Sequence, residues 1–257
     1  MSQKSCLARA VAWGHLEENP VAQKVKRLKE DTKAKVRYLT PDEEARLLDA
    51  LDAREERIRR ERESYNAWCR ERGYPERETL RDRAFVDHLR PMVLLSLHTG
   101  LRRGEVFNLR WEDIDLQRAM LTVSGASAKS GYTRHVPLNE TARATLEAWR
   151  RQSTGADLVF PNKDGRAFDN CNTSWESVLK EARITGFRWH DMRHTFASKL
   201  VMAGVDLNTV RELLGHSDIK MTLRYAHLAP QVKAAAVAKL VSNTVPLEGK
   251  REGVSIP

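Results

Sequence analysis

The run Trp189-His190-Asp191-Met192-Arg193-His194-Thr195-Phe196-Ala197-Ser198 decides how this chain is read. His190 stands three residues before Arg193, so on a helix both side chains project from one face. Downstream come Leu214-Gly215-His216 and, nine residues beyond His216, Tyr225. Upstream lies Thr99-Gly100-Leu101-Arg102-Arg103-Gly104-Glu105. These segments supply arginines, histidines and a tyrosine, the groups needed to clamp a phosphodiester and attack it with a phenolate. No glycine-rich phosphate loop and no carboxylate cluster for magnesium accompanies them, which argues against a nucleotide-triphosphate enzyme.

Bulk properties agree with a polyanionic partner. Forty-four Lys and Arg face thirty-five Asp and Glu, a net charge of +9 in 257 residues. Charged residues make up 31% of the chain and the mean hydropathy is −0.57, as for a soluble protein. Cys6, Cys69 and Cys171 are few, odd in number and far apart, which argues against a disulfide framework and a cysteine zinc site. No apolar run reaches about 18 residues and no signal-peptide core opens the chain, so a cytoplasmic protein without a membrane partner is expected.

The periodicity predicts a mainly α protein with a small antiparallel β-sheet (α+β). A short helical pattern, Leu7 to Trp13, stops at Asn19-Pro20, and a basic linker follows with Lys24, Lys26, Arg27, Lys29, Lys33, Lys35 and Arg37. Thr40-Pro41-Asp42-Glu43 is a helix start: Thr40 caps, Pro41 suits the first helical position, and Glu43 reaches back. That helix passes Leu47, Leu48 and Leu51 and enters Arg54 to Glu63, nine charges in ten residues, which predicts an exposed surface laced with i,i+4 pairs. Helices are expected over 85–98 and from Arg103 to Leu109, with Gly100 between them. Met120–Val123 and Thr133–Leu138 read as strands joined by a hairpin through Ala128-Lys129-Ser130-Gly131. Further helices are expected over 141–152, 173–182, 193–203, 208–214, 219–225 and 231–241, and 243–257 reads as a flexible C-terminal tail.

The chain resembles the tyrosine recombinase (phage integrase) family, and five segments carry the resemblance in the family's order. They are Thr99–Glu105, Ala128–Gly131 with Arg134–Leu138, His190–Ser198, Leu213–Ser217 and Met221–His227. The resemblance implies the family's catalytic-domain fold over 38–242, with 53–83 as a charged surface insertion. It reads 1–37 as the remnant of an N-terminal core-DNA-binding domain and its basic linker, and hence the chain as an excised or naturally shortened catalytic fragment. It implies a site-specific recombinase that cuts and rejoins DNA through a 3′-phosphotyrosine intermediate, with no metal, ATP or other cofactor. The implied partner is a double-stranded DNA attachment site in a bacterial or phage-infected cell. A homotetramer forms on DNA in the full-length protein, with a monomer in its absence, and DNA-bending accessory proteins are compatible partners. The resemblance also has the segment Ala234–Leu240 dock into a neighbouring subunit, whereas the residues alone equally allow it to fold back on its own domain.

On this footing the catalytic candidates are Arg102, Lys129, His190, Arg193, His216 and Tyr225. Guanidinium forks match the non-bridging oxygens of a pentacoordinate phosphate and stay charged, which suits Arg102 and Arg193. Glu105, one helical turn after Arg102, orients a guanidinium. Lys129 at the hairpin tip matches the family lysine that protonates the leaving 5′ oxygen. His190 either accepts the tyrosine proton or hydrogen-bonds the phosphate. His216 donates to a non-bridging oxygen, and Tyr225 is the nucleophile. Lys33, Lys35, Arg37, Arg103 and Arg134 are the DNA-binding candidates.

Other readings compete. His190 and His194 at i,i+4 have the spacing of a helical zinc pair, but Asp191 stands where metalloproteases carry their glutamate and no third ligand follows at a useful distance. A DNA-binding protein that kept the fold and lost catalysis would lack one of the candidates. A topoisomerase-like enzyme that nicks and religates without strand exchange would share all of them.

Overall fold

The computed structural model describes residues 3–20, 36–125, 131, 133–153 and 155–229. Residues 1–35 and 36–257 form separate compact units. The described part of the first holds helix α1 (Gln3–Ala12), which covers most of the helical pattern read from Leu7 onward.

In the larger unit, Thr40 starts helix α2 (Pro41–Glu71) through the reciprocal cap that its sequence predicts. The Glu43 N–H donates to the Thr40 hydroxyl and the Thr40 N–H donates to the Glu43 carboxylate. The first half of α2 buries Leu47, Ala50 and Leu51. The second half carries Glu55–Arg59 and Glu56–Arg60 pairs at i,i+4, and the returning chain is tied back by Arg81 to Glu56 and Glu63. Apart from the pair of the buried Glu55, these ion pairs are exposed and contribute only about 0–1 kcal/mol each. The buried groups matter more: Asn66 takes both the N–H and the C=O of Arg77, above Cys69 and Leu80. Tyr65, Trp68 and Tyr74 stack on the outside.

Helix α3 (Leu89–Thr99) begins four residues later than its apolar pattern suggests. Pro91 explains the difference: it has no N–H to donate back, so it is tolerated only in a first turn. Asp87 closes the start by accepting from the Leu89 N–H. Helix α4 (Arg103–Phe107) is followed by a 3-10 turn over Trp111–Asp113 and by strand β1 (Ile114–Asp115), a two-residue strand absent from the sequence reading. Strands β2 (Met120–Val123) and β3 (Arg134–Pro137) complete a three-stranded antiparallel sheet in the order β1-β2-β3. Leu121 pairs with Val136 and Val123 with Arg134, and these four side chains lie on the buried face.

Helices α5 (Glu140–Gln152), α6 (Asn172–Glu181), α7 (Asp191–Met202), α8 (Leu207–Leu214) and α9 (Lys220–Leu223) follow, confirming a mainly helical fold with one small antiparallel sheet. The main core joins α2 and α3 to the sheet and to α5 and α6, through residues such as Leu51, Leu95, Leu121, Leu146 and Val178. A second cluster of Ala197, Val201, Val210 and Leu214 fixes α8 on α7 and encloses the ring of Tyr225. Helix α7 packs on α3 as well as α8, which explains why it is buried nearly all round.

Gly100 ends α3 in the left-handed conformation at φ 64°, and a β-carbon there would lie 2.4 Å from Cδ1 of Phe196 on α7. The Gly100→Ala substitution therefore meets both an unfavourable φ and an overpacked contact. It is expected to cost about 2–4 kcal/mol. Urea unfolding would measure this, and a shift under 1 kcal/mol (on the scale of an ordinary surface substitution) would show that α7 yields at this contact.

Candidate active site

Two helix C-termini define the site. The carbonyls of Gly100, capping α3, and Leu214, ending α8, both accept from Arg193, whose Nη1 lies 2.8 Å from Gly100 O and whose Nη2 reaches Leu214 O. Carbonyls at a helix C-terminus carry partial negative charge and favour a cation. Arg193 is 3% exposed and is held by these carbonyls, with no carboxylate pair of its own among the described residues. Burial, and then the charge of Arg102, push its pKa below the usual arginine value, against the opposing charge of Glu105. Arg102 sits at the start of α4, with Nη1 2.8 Å from Glu105 Oε1 and Nη2 3.5 Å from Gly215 O.

Gly215, at φ 62°, turns the chain out of α8 and presents His216, which is 8% exposed. The His216 Nδ1 meets the Thr222 hydroxyl at 2.9 Å, so the opening of α9 fixes the ring. Tyr225 lies one residue past the Arg224 cap of α9, in the turn before the 3-10 segment Ala226–Leu228, rather than inside a helix as its spacing suggests. The Tyr225 ring is 1% exposed and its hydroxyl is 2.6 Å from His194 Nδ1. Burial raises the phenol to about 12 against the opposing charges of Arg193 and Arg224. Burial, then the nearby His190, lowers His194 to about 4. With the phenol protonated and the imidazole neutral at pH 7, Tyr225 is the donor and His194 the acceptor.

Arg102, His190, Arg193, His194, His216, Lys220, Met221, Arg224 and Tyr225 line one cleft of about 180 Å³. Four of these are arginine or lysine and none is a carboxylate, so the cleft is a cation cluster shaped for an anion of phosphate size. A larger cavity of about 590 Å³ lies on the other side of His216, against β3 and α8, away from the Tyr225 hydroxyl. Burial, followed by Arg193, also lowers His190, whose residue stands exposed at the rim, and lowers His216 to about 3.

These depressed histidines make a pH prediction. Unfolded histidine binds a proton near pH 6.5, whereas folded His194 and His216 do so near about 4 and about 3. The unfolded chain thus holds more protons in that interval, and stability should fall as pH drops from 6.5 toward 4. Histidine ring NMR should find both residues still neutral at pH 5.5. Titration of either one near 6.5 would contradict the enclosed geometry.

The structure thus brings together Arg102, His190, Arg193, His216 and Tyr225, with Glu105 behind Arg102. Lys33, Lys35 and Lys129 lie outside the described residues. Arg103 is exposed beside the site, with its guanidinium over the Phe107 ring. Arg37 is partly exposed and forms a two-point pair with Glu43 at 2.6 and 2.8 Å, lying over Phe187. Arg134 is inside, 7% exposed and paired with Glu105, because it shares strand parity with Val136. The alternation Arg134, Val136, Leu138 contains that signal, which a reading of Arg134 as a surface cation passes over. His194 is the residue that sequence reasoning missed as a partner of the tyrosine. Its i,i+4 relation to His190 is visible in the sequence, but nothing there shows that Tyr225 approaches it. Lys220 and Arg224 were likewise not singled out.

Known proteins resemble this chain in sequence and fold. The sequence profile of the phage integrase family matches residues 37–232. The integrase of Salmonella phage P22 is 38% identical over 153 residues, covering 55% of this chain and 40% of that protein. The tyrosine recombinase XerC of Xanthomonas campestris pv. campestris is 38% identical over 154 residues, covering 58% of this chain and 45% of its own length. The chain therefore spans less than half the length of these relatives. Among solved structures, the catalytic domain of bacteriophage HP1 integrase superposes with a TM-score of 0.53 at 25% identity, over 82% of this chain and all of that one. The Tn1549 transposon integrase, solved in complex with circular intermediate DNA, gives 0.63 at 21% identity over 93% of this chain and 76% of that one. With the profile covering most of its length, and with arginines, histidines and a tyrosine in one cleft, the chain belongs to the phage integrase family.

Proposed function

We propose that this chain carries the strand-transfer chemistry of a site-specific DNA recombinase of integrase type. The observation that carries the reading is the Tyr225 hydroxyl held 2.6 Å from His194 in a cleft walled by Arg102, Arg193 and His216. A DNA phosphate entering the cleft supplies the anion that Arg193 lacks and that Arg102 shares with Glu105. Arg102 and Arg193 grip the non-bridging oxygens, and His216 adds a neutral N–H donor. The Tyr225 oxygen forms the new bond to phosphorus as its proton passes to His194, and the bond from phosphorus to the 5′ oxygen breaks. Lys129, by its match to the family lysine, gives that oxygen its proton. Attack by another 5′ hydroxyl on the phosphotyrosine reverses these steps and releases the tyrosine. One ester replaces another throughout, so joining requires no external energy source.

The substrate in this reading is double-stranded DNA at an attachment site, gripped by Arg103 and by the basic stretch that includes Lys33 and Lys35. Recombination requires a homotetramer on two paired sites, with DNA-bending proteins as accessory partners, in the cytoplasm of a bacterial or phage-infected cell. The phage and transposon integrases among the relatives favour a mobile-element setting.

The test uses nicked duplexes bearing candidate attachment sites, incubated with the protein in EDTA. A denaturation-resistant protein–DNA adduct is expected, and its absence from DNA that the protein demonstrably binds would sink the catalytic reading. An adduct that only religates its own strand in a two-site reaction would instead mark a nicking–religating enzyme.

A further inference from the structure

Arg134 has the features of an internal fixture. Its register opposite Val123 turns it to the buried face of the sheet, where 7% of it remains exposed. All three guanidinium nitrogens are engaged: Nη1 and Nη2 reach the two Glu105 oxygens at 3.1 and 2.6 Å, and Nε donates to Leu213 O at 3.1 Å. The same two Glu105 oxygens accept from Arg102, one from its Nη1 and one from its backbone N–H, both at 2.8 Å. The stem of Arg134 lies against Gly215, where an added β-carbon would come within 2.8 Å of its Cδ. The next residue is His216.

We propose that Arg134 is a positioning residue that sets two phosphate-facing groups at once, Arg102 through the shared Glu105 carboxylate and His216 through the backbone at the end of α8. A carboxylate clamped from one side by a two-point guanidinium cannot rotate, so it offers Arg102 fixed acceptors. Burial raises the Glu105 carboxyl, yet the hydrogen bonds and charge of Arg134, with the Arg102 N–H, outweigh it and hold the group down at about 2, anionic at neutral pH. Lysine cannot replace this fork, because one ammonium does not reach both carboxylate oxygens and Leu213 O together. Small side chains at 215 are required for the same reason: the space is filled by Arg134.

The proposal rests on the recombinase reading for the identity of the anion but not for the geometry, and its test separates the two. Arg134→Lys, Glu105→Gln and the double variant would be compared with the wild-type chain. In the free protein, guanidinium NMR should show restricted rotation of the Arg102 side chain that disappears in Arg134→Lys. On nicked duplexes, Arg134→Lys should lower the single-turnover cleavage rate at saturating DNA by at least about tenfold with DNA affinity within about twofold. The double variant should lose clearly less than the product of the two single losses, since the Arg102 part of both effects runs through one carboxylate. Glu105→Gln/Arg134→Gln, which removes the buried carboxylate together with the guanidinium that clamps it, provides the comparison with Glu105→Gln if Arg134→Lys does not fold.

A fall in affinity with a flatter salt dependence, at unchanged saturated rate, would make Arg134 a DNA contact and overturn the proposal. A lower melting temperature with Arg102 rotation and cleavage untouched would reduce it to a merely structural residue and overturn it equally. If even the wild-type chain forms no adduct, the recombinase reading fails while the NMR comparison still decides whether Arg134 restrains Arg102.

Discussion

Tyr225→Phe is expected to abolish covalent adduct formation while leaving a folded protein that still binds DNA. The ring is 1% exposed and packed with Ala197, Val201, Val210 and Leu214, so phenylalanine keeps every apolar contact and removes only the oxygen. What is lost from stability is one hydrogen bond to His194, about 1 kcal/mol. The reaction loses its nucleophile, and cleavage should fall by at least about 10⁴-fold. Single-turnover cleavage on denaturing gels, beside a thermal melt and a binding isotherm, would check all three statements. An adduct persisting in Tyr225→Phe would transfer the nucleophile to another residue and undo the assignment.

Arg193→Lys should have the second-largest effect. In the proposed transition state Arg193 meets charge that develops on a non-bridging oxygen, in a site closed to water, and removal of one preorganised donor of that kind typically costs about 10²–10³ in rate. The substitution keeps the charge and loses the fork, so it asks whether geometry or charge matters. Lysine cannot serve the Gly100 and Leu214 carbonyls at once, and one would be left without its donor. The cost in stability is expected to be about 1–3 kcal/mol. Cleavage at saturating DNA within threefold of the unmodified protein would remove Arg193 from the phosphate clamp. If DNA affinity alone changed, its role would be binding instead of catalysis.

Both effects depend on the same enclosure, which also explains the acid sensitivity expected of the fold. His194 and His216 favour the neutral form when folded, and Glu105 favours the ionised one, down to about 2. The histidines remove stability as pH falls below about 6.5, and Glu105 adds to the loss below about 4.3, where unfolded glutamate takes up its proton. The charge pattern that readies the cleft for an anion thus makes the anion-free protein weakest in acid.

Much of this could be read without coordinates, for local reasons. Thr40 and Glu43 form their cap because a four-residue motif contains both partners. Gly100 and Gly215 end their helices because glycine reaches positive φ at no steric cost. The spacing of His190 and Arg193 placed them together at the start of α7, whereas Tyr225 lies just past α9 instead of inside it. Where local signals misled, a non-local constraint had the last word. Strand β1 pairs only two residues and has too little pattern to be seen. Arg134 reads as a surface cation because charge is the first property noticed, yet Glu105 holds it inside.

The sequence by itself therefore determined the helical class, the helix boundaries set by caps and glycines, and five of the residues that line the candidate cleft: Arg102, His190, Arg193, His216 and Tyr225. Tertiary structure alone decided which group meets which. It placed the ends of α3 and α8 on opposite sides of Arg193 and carried Tyr225 to His194 rather than His190. It also drew Arg134 across the sheet to Glu105. The physical reason is range. Caps and turns involve neighbours a few residues apart, whereas these contacts join residues 21 to 93 apart in sequence, and only the packing of the core brings them within hydrogen-bond distance.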